Sequence, residues 1–211
     1  MGQLLDQFYV QELYLSSNII HDRGATSLAQ YLRLNHSVTK LDLQDNLICS
    51  PGFTSLFSAV SKNAVLKSLN MNCNEVRELG EKVSKALSSN TTLTELDLGV
   101  NWLKINDCIS LATGLQGNTV LRSLNLEWNA LQDQGIVKLA TSLSVNTTLH
   151  SLNLTESSCG IEGARALANT LLNNTTLTFL DVQNNSKVPE SAWLALEAAR
   201  DVHGTCVVVR D

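Results

Sequence analysis

The chain has 211 residues, 44% of them hydrophobic, with 20 acidic and 15 Lys or Arg residues and a formal net charge of −5. That is enough apolar material for a continuous core, and two prolines argue against a linker-rich or disordered chain. No run of 18 apolar residues offers a membrane span, and MGQLLDQFYV has neither the basic start nor the apolar stretch of a signal peptide. Asp6 stands where a myristoylation start needs Ser or Thr. Cys49, Cys73, Cys108, Cys159 and Cys206 are odd in number and have no C-x-x-C spacing, which fits reduced thiols in cytoplasm or nucleus.

One stretch repeats from end to end. Leu121 to Leu149 holds an apolar-alternating run (Leu121, Leu124, Leu126), then Asn129, Leu131 and Gly135, then helically spaced Leu139 and Leu143, ending at Asn146. The strand leucines Leu13, Leu41, Leu69, Leu96, Leu124, Leu152 and Leu180 follow one another at steps of 28, 28, 27, 28, 28 and 28. Five residues beyond each stand Asn18, Asn46, Asn74, Asn101, Asn129, Ser157 and Asn185. A glycine recurs at Gly24, Gly52, Gly80, Gly135 and Gly163, replaced by Asp107 and Ser191 in the fourth and seventh copies.

Each period-2 segment is too short to stand alone, so the copies must pair side by side in parallel, with a helix as every crossover. Leu28 and Leu32, Leu111 and Leu115, and Leu167 and Leu171 give the helices their i, i+4 spacing. The recurring asparagine falls where the chain leaves the strand, and its amide can satisfy backbone groups there. Ser157 reaches less far, which predicts a looser turn. The helix-ending Asn35, Asn63, Asn90, Asn118, Asn146 and Asn174 suit left-handed caps. Asn35, Asn90, Asn146, Asn153, Asn173 and Asn174 also read as glycosylation sequons, yet most sit where the repeat itself calls for Asn. Strands stack at about 4.8 Å and helices at about 8–10 Å, so the unit must bend, with strands lining the inside of an arc.

The pattern L-x-x-L-x-L-x-x-N-x-L-x-x-x-G-x-x-x-L-x-x-x-L-x-x-N, in seven copies, resembles the leucine-rich repeats of the ribonuclease-inhibitor subfamily. That subfamily includes the ribonuclease inhibitor, the Ran GTPase-activating proteins and the sensor domains of NOD-like receptors. The resemblance implies an α/β solenoid, a curved horseshoe with parallel strands on the concave face and helices on the convex face. Residues 1–12 read as the tail of a preceding partial repeat, with Leu4, Gln7 and Val10 matching Leu32, Asn35 and Val38. Residues 13–211 read as seven repeats, with Val207–Val209 as a closing strand. A missing cap before Leu13 suggests a longer native chain, or self-association through that end. Near the other end Lys187 replaces an apolar residue, Pro189 intrudes, and Trp193 reads as a capping core residue.

Residues between the leucines face the concave side. They are Tyr14, Asp42, Asn70, Asp97, Asn125, Asn153 and Asp181, flanked by Glu12, Lys40, Asp45, Glu75, Glu95, Trp102, Glu127, Trp128, Glu156 and Phe179. That face holds nine of the chain's 20 carboxylates and one of its 15 Lys and Arg residues, with Lys67 and Arg122 at its margin. It would repel nucleic-acid phosphates and attract a basic protein surface. Trp102 and Trp128, in adjacent repeats and off the leucine positions, are the expected anchors, with Trp102 alternatively packing under its loop. Glu95, Asp97, Glu127, Asp42 and Asp45 would steer, and Tyr14 and Asn125 would add contacts.

Enzyme readings find little support. His21, His36, His150 and His203 fall at different repeat positions, Asp97 and Glu127 lie on an open arc, and Gly114-Leu-Gln-Gly117 lacks the lysine of a phosphate loop. No cofactor and no metal is expected, apart from loose cation binding by the carboxylates. The sequence thus points to a non-catalytic interaction module for a basic protein partner, neither nucleic acid nor membrane. The alternatives implied by the resemblance are a regulatory GTPase-activating-type protein and a ligand-sensing or autoinhibitory domain of a larger NOD-like receptor.

Overall fold

The computed structural model describes residues 9–203 and 207–209. Strands and helices alternate throughout: β1 (Glu12–Tyr14), α1 (His21–Leu32), β2 (Lys40–Asp42), α2 (Ser50–Val60), β3 (Ser68–Asn70), α3 (Glu81–Ser89), β4 (Glu95–Asp97) and α4 (Ile105–Gly117). They continue with β5 (Ser123–Asn125), α5 (Gln132–Leu143), β6 (Ser151–Asn153), α6 (Ile161–Leu171), β7 (Phe179–Asp181), α7 (Glu190–His203) and β8 (Val207–Val209). The eight strands pair in chain order, all parallel, in one open sheet. Leu13, Leu41, Leu69, Leu96, Leu124, Leu152, Leu180 and Val208 share one register row. This is an α/β repeat solenoid. The partial repeat expected before Leu13 falls largely on residues 1–8, outside the described residues.

A single core runs the length of the sheet, between it and the helices. Leu41, Leu69, Leu96, Leu124, Leu152 and Leu180 are almost fully buried, whereas Leu13 and Leu15 at the β1 edge are only partly so. At the far end the apolar role expected at position 187 moves one residue on: Val188 is buried and Lys187 exposed. Trp193 is buried beside it.

Two asparagine rows stitch adjacent repeats together. In the first, the Asn46 side-chain oxygen accepts the Asn18 and Ile20 amides, and that of Asn74 accepts Asn46 and Ile48. Asn101 accepts Val76, Asn129 accepts Leu103, and Asn185 accepts Ser157 and Cys159. Each amide nitrogen returns bonds to strand-end carbonyls, as Asn129 does to Leu98, Leu126 and Glu127. Ser157 keeps the row intact in another way. It is fully buried, and its backbone carbonyl accepts the Leu131 amide, whose counterpart Ile20 bonds the Asn46 side chain, as well as the Gln132 amide.

The second row corrects an expectation. The helix-ending asparagines are not left-handed: Asn90 and Asn118 sit at φ −73° and −81°, in extended backbone. Their side-chain oxygens instead accept the amides two and three residues on, Thr92 and Leu93 for Asn90, Val120 and Leu121 for Asn118. Their nitrogens donate to the preceding helix end, at Val60 and Leu87. An asparagine that must reach both ways needs the extended conformation. The same commitment buries the sequon residues Asn35, Asn90 and Asn146.

The glycine row reflects close approach of successive helix starts. A Cβ on Gly52 would lie 2.5 Å from the Asp22 carboxylate and one on Gly135 2.9 Å from the Cys108 side chain. Asp22 uses that proximity to cap α2, accepting Cys49 and Gly52 amides, and Asp133 caps α6 through Gly160 and Gly163. The third repeat departs. Gly80, at φ +66°, precedes α3 rather than lying inside it, so α3 starts late and leaves space. Asp107, standing where the glycine row would pass next, fills it and accepts the amides of Leu79 and Lys104.

The inter-repeat amides make unequal contributions. Asn129→Ala removes three donated bonds and strands the buried Leu103 amide, and should cost about 3 kcal/mol. Asn18→Ala, in the exposed first turn, should cost well under about 1 kcal/mol; urea unfolding of both variants checks this.

Burial pushes the Cys108 and Cys159 thiols up to about 12 from 9.0. In each, desolvation dominates, aided by Asp107 or Asp133. Below pH 9 both thiols are neutral folded and unfolded and contribute no pH dependence. Above it the unfolded chain ionises first, so stability falls with rising pH by up to about 1.4 kcal/mol per unit per thiol. Denaturant titrations at pH 8 and 10.5 should show a shallower decline for Cys108→Ala than for the wild type.

Candidate partner-binding face

Positions just past the strands build a rim of unusual backbone. Ser17, Asp45, Cys73, Val100, Trp128, Glu156 and Asn184 occupy one repeat position, and all have φ between 52° and 57° apart from Val100 at 50°. None is glycine. The turn demands a left-handed residue there because the chain must swing off the strand while its amide bonds the next repeat, as Val100 N–H does to Glu127 and Trp128 N–H to Thr155. That conformation throws each side chain outward. A β-branched Val100 in it is strained.

Trp102 and Trp128 are 60% and 57% exposed, so neither packs under its loop. They line one groove of about 570 Å³ together with Leu47, Cys73, Val100 and Ala130. Three carboxylates enter it, Asp45, Glu75 and Glu156, against one lysine, Lys104. Of the residues singled out in the sequence, the structure thus gathers Trp102, Trp128, Asp45, Glu75 and Glu156 at the rim, at the C-terminal ends of the strands. Tyr14, Asp42, Glu95, Asp97, Asn125 and Glu127 lie apart from them, on the sheet's solvent face or just past it.

That inner face has its own order. Gly99 carries no side chain where its neighbours carry Asn72 and Glu127. The two reach across it, Asn72 Nδ2 donating to Glu127 Oε1 at 3.3 Å and to Asp97 Oδ1 at 3.1 Å. Glu127 also accepts Asn125 Nδ2 on Oε1 and Asn153 Nδ2 on Oε2, both at 3.1 Å. A Cβ at Gly99 would stand 2.6 Å from Asn72 and 2.9 Å from Glu127. Glu127 is therefore an acceptor shared by Asn side chains of three strand segments. Asp42 likewise accepts the Gln44 amide.

Two of the exposed rings hold cations from within the chain. Lys40 Nζ lies 5.3 Å from the Tyr14 ring centroid and the Arg77 guanidinium 5.6 Å from that of Trp102. Tyr14, and less strongly Glu12 and Glu95, hold the Lys40 ammonium above its ordinary pKa. Arg77 was not legible as part of this site, because it stands in the loop before α3 and only the fold brings it over a ring from the next repeat. Val100 was legible in principle, since it shares the repeat position of Trp128. Among the described residues no cluster of three His, Cys, Asp or Glu side chains is placed to hold a metal.

The Leucine Rich repeat family model matches residues 7–29, 89–112 and 117–140. In those three segments the chain matches leucine-rich repeats. Similar proteins include human NACHT, LRR and PYD domains-containing protein 14, 34% identical over 100 residues, which are 46% of this chain and 9% of that protein. Human leiomodin-2 is 29% identical over 97 residues, 44% of this chain and 18% of its own length. The chain spans less than a fifth of the length of these relatives. Among solved structures, that titled Leiomodin-1 Actin-Binding Site 2 superposes with a TM-score of 0.49 at 14% identity, over 96% of this chain and 87% of that one. No helix among the described residues is long and apolar enough to cross a membrane.

The strain at Val100 gives a direct check on the rim. Asn tolerates the left-handed region, so Val100→Asn should raise stability by about 1 kcal/mol and the melting temperature by about 2–4 °C. A fall in calorimetric Tm would mean that the valine side chain packs well enough to offset its backbone strain.

Proposed function

We propose that this chain is a non-catalytic interaction module whose protein partner presents a basic surface to the acidic rim and inner face. The observation that carries the reading is the pairing of Trp102 and Trp128, both more than half exposed, around one groove edged by Asp45, Glu75 and Glu156. Two exposed indoles on a rigid repeat scaffold are the residue type that dominates interface energetics. Covering their exposed area would remove roughly 200–300 Å² from water, a gross gain of about 5–7 kcal/mol before association costs. Asp42, Glu95 and Asp97 would add long-range attraction, while Tyr14, Asn125 and Glu127 offer a fixed polar floor.

The same charge balance disfavours nucleic acid and anionic membrane surfaces as partners. Free cysteines at the four described positions, two of them buried, suit the cytoplasm or nucleus. The period of 28 with a full helix in almost every copy supports assigning the repeats to the ribonuclease-inhibitor type. A second reading, a sensing domain within a longer receptor, draws on the likeness to the NACHT, LRR and PYD protein.

Affinity capture from cell extract tests the reading, comparing wild type with a folded Trp102→Ala, Trp128→Ala double variant at low and moderate salt. The expected result is a basic protein retained by the wild type, lost from the variant and weakened by salt. Equal retention by both would move the binding site to the helical face and overturn the reading.

A further inference from the structure

The three large aromatic side chains of this face that are more than half exposed are not equivalent. Tyr14 carries Lys40 over its ring and Trp102 carries Arg77, so the chain itself supplies a cation to each. Trp128 has no such cation among the described residues, although it is as exposed as the others. Its neighbour at the same position of the next repeat is Glu156, one strand spacing of about 4.8 Å along the sheet. Both line the rim groove, and both are held outward by left-handed backbone at φ 52°. Glu156 has no ion pair among the described residues.

We propose that Trp128 and Glu156 form the receptor for one arginine of the partner, its guanidinium stacked on the indole and paired with the carboxylate. The inference rests on the reading that a basic partner docks at the rim, and it names the side chain that is recognised. Arg77 on Trp102 is the internal precedent: a guanidinium, held by its own chain, already occupies the equivalent kind of ring one repeat away. A planar guanidinium can stack on a ring and still direct N–H groups at a carboxylate in plane. An ammonium is a hydrated point charge and cannot do both equally well. The groove's other charges are Asp45 and Glu75, which add attraction, and Lys104, which opposes it. The opposition falls on the helix-start side of the groove, since Lys104 precedes α4. Val100, at the same position one repeat earlier, lines the groove with Trp128 and adds apolar surface beside it.

Indole N–H signals test this in the intact chain, with buried Trp193 as the internal reference. The probes are a short peptide with a single arginine flanked by lysines and apolar residues, and its counterparts with citrulline or lysine at that place. The expected result is a saturable shift of the Trp128 signal with the arginine peptide, and affinity weakened about three- to tenfold by either replacement. Glu156→Gln should weaken the arginine peptide by a similar factor and reduce its preference over citrulline. Arg77→Ala should leave the Trp128 response intact and give Trp102 a response of its own. Both substitutions are outside the core, and circular dichroism checks that the variants fold.

If the peptides shift backbone amides around Asp42 and Asp97 saturably while Trp128 stays silent, or if Glu156→Gln changes nothing, the arginine receptor is overturned while the basic-partner reading stands. If none of the basic peptides binds at any salt concentration, both fall together.

Discussion

The bond on which the molecule depends is the one from each strand-end asparagine to the turn of the repeat before it. Parallel strands of three residues bury too little to hold a register alone, and each turn leaves amides pointing away from its own strand. The asparagine oxygen accepts those amides while its nitrogen pairs strand-end carbonyls, so every repeat is completed by its successor. At Ser157, where the side chain is too short, the backbone carbonyl supplies the acceptor and the row continues. The constraint is thus geometric rather than residue-specific: an acceptor must stand at that point, whichever atom provides it.

The rim follows from this constraint. To bring its amide to the next repeat, the chain must pass through a left-handed residue just before each asparagine, and seven non-glycine residues accept that conformation in turn. Their side chains leave the sheet at one-strand intervals. The scaffold therefore fixes where these groups stand, and the identities of the residues decide what they recognise. In most repeats the occupants are small or polar. In the fourth to sixth they are Val100, Trp128 and Glu156, which line the groove together with Asp45 and Cys73 of the second and third. The strain carried by Val100 and the exposure of Trp128 coincide with the part of the rim that combines apolar surface with carboxylates.

The scaffold was legible because it repeats: seven leucines, six asparagines and a period of 28 leave little freedom in register or crossover. What escaped were events between repeats that obey no period. The helix-ending asparagines look like caps in isolation, and only the distance to the preceding helix shows why they stay extended. Asp107 looks like a lost glycine until α3 is seen to begin late. That Glu127 also accepts Asn72 from two strands away depends on the missing side chain at Gly99. Trp102 and Trp128 could be singled out as surface residues, but Arg77 enters their site from a loop with no repeat signature of its own.

The central claim is that the rim around Trp102 and Trp128 is the recognition surface and the helices are its support. Residue-resolved amide hydrogen exchange, with the wild-type chain free and then bound to its captured partner, tests it most directly. New protection is expected only in the turns around residues 45–48, 99–104, 127–131 and 155–159, with the helices α1 to α7 unchanged. Protection gained along the helices while those turns exchange as before would contradict it.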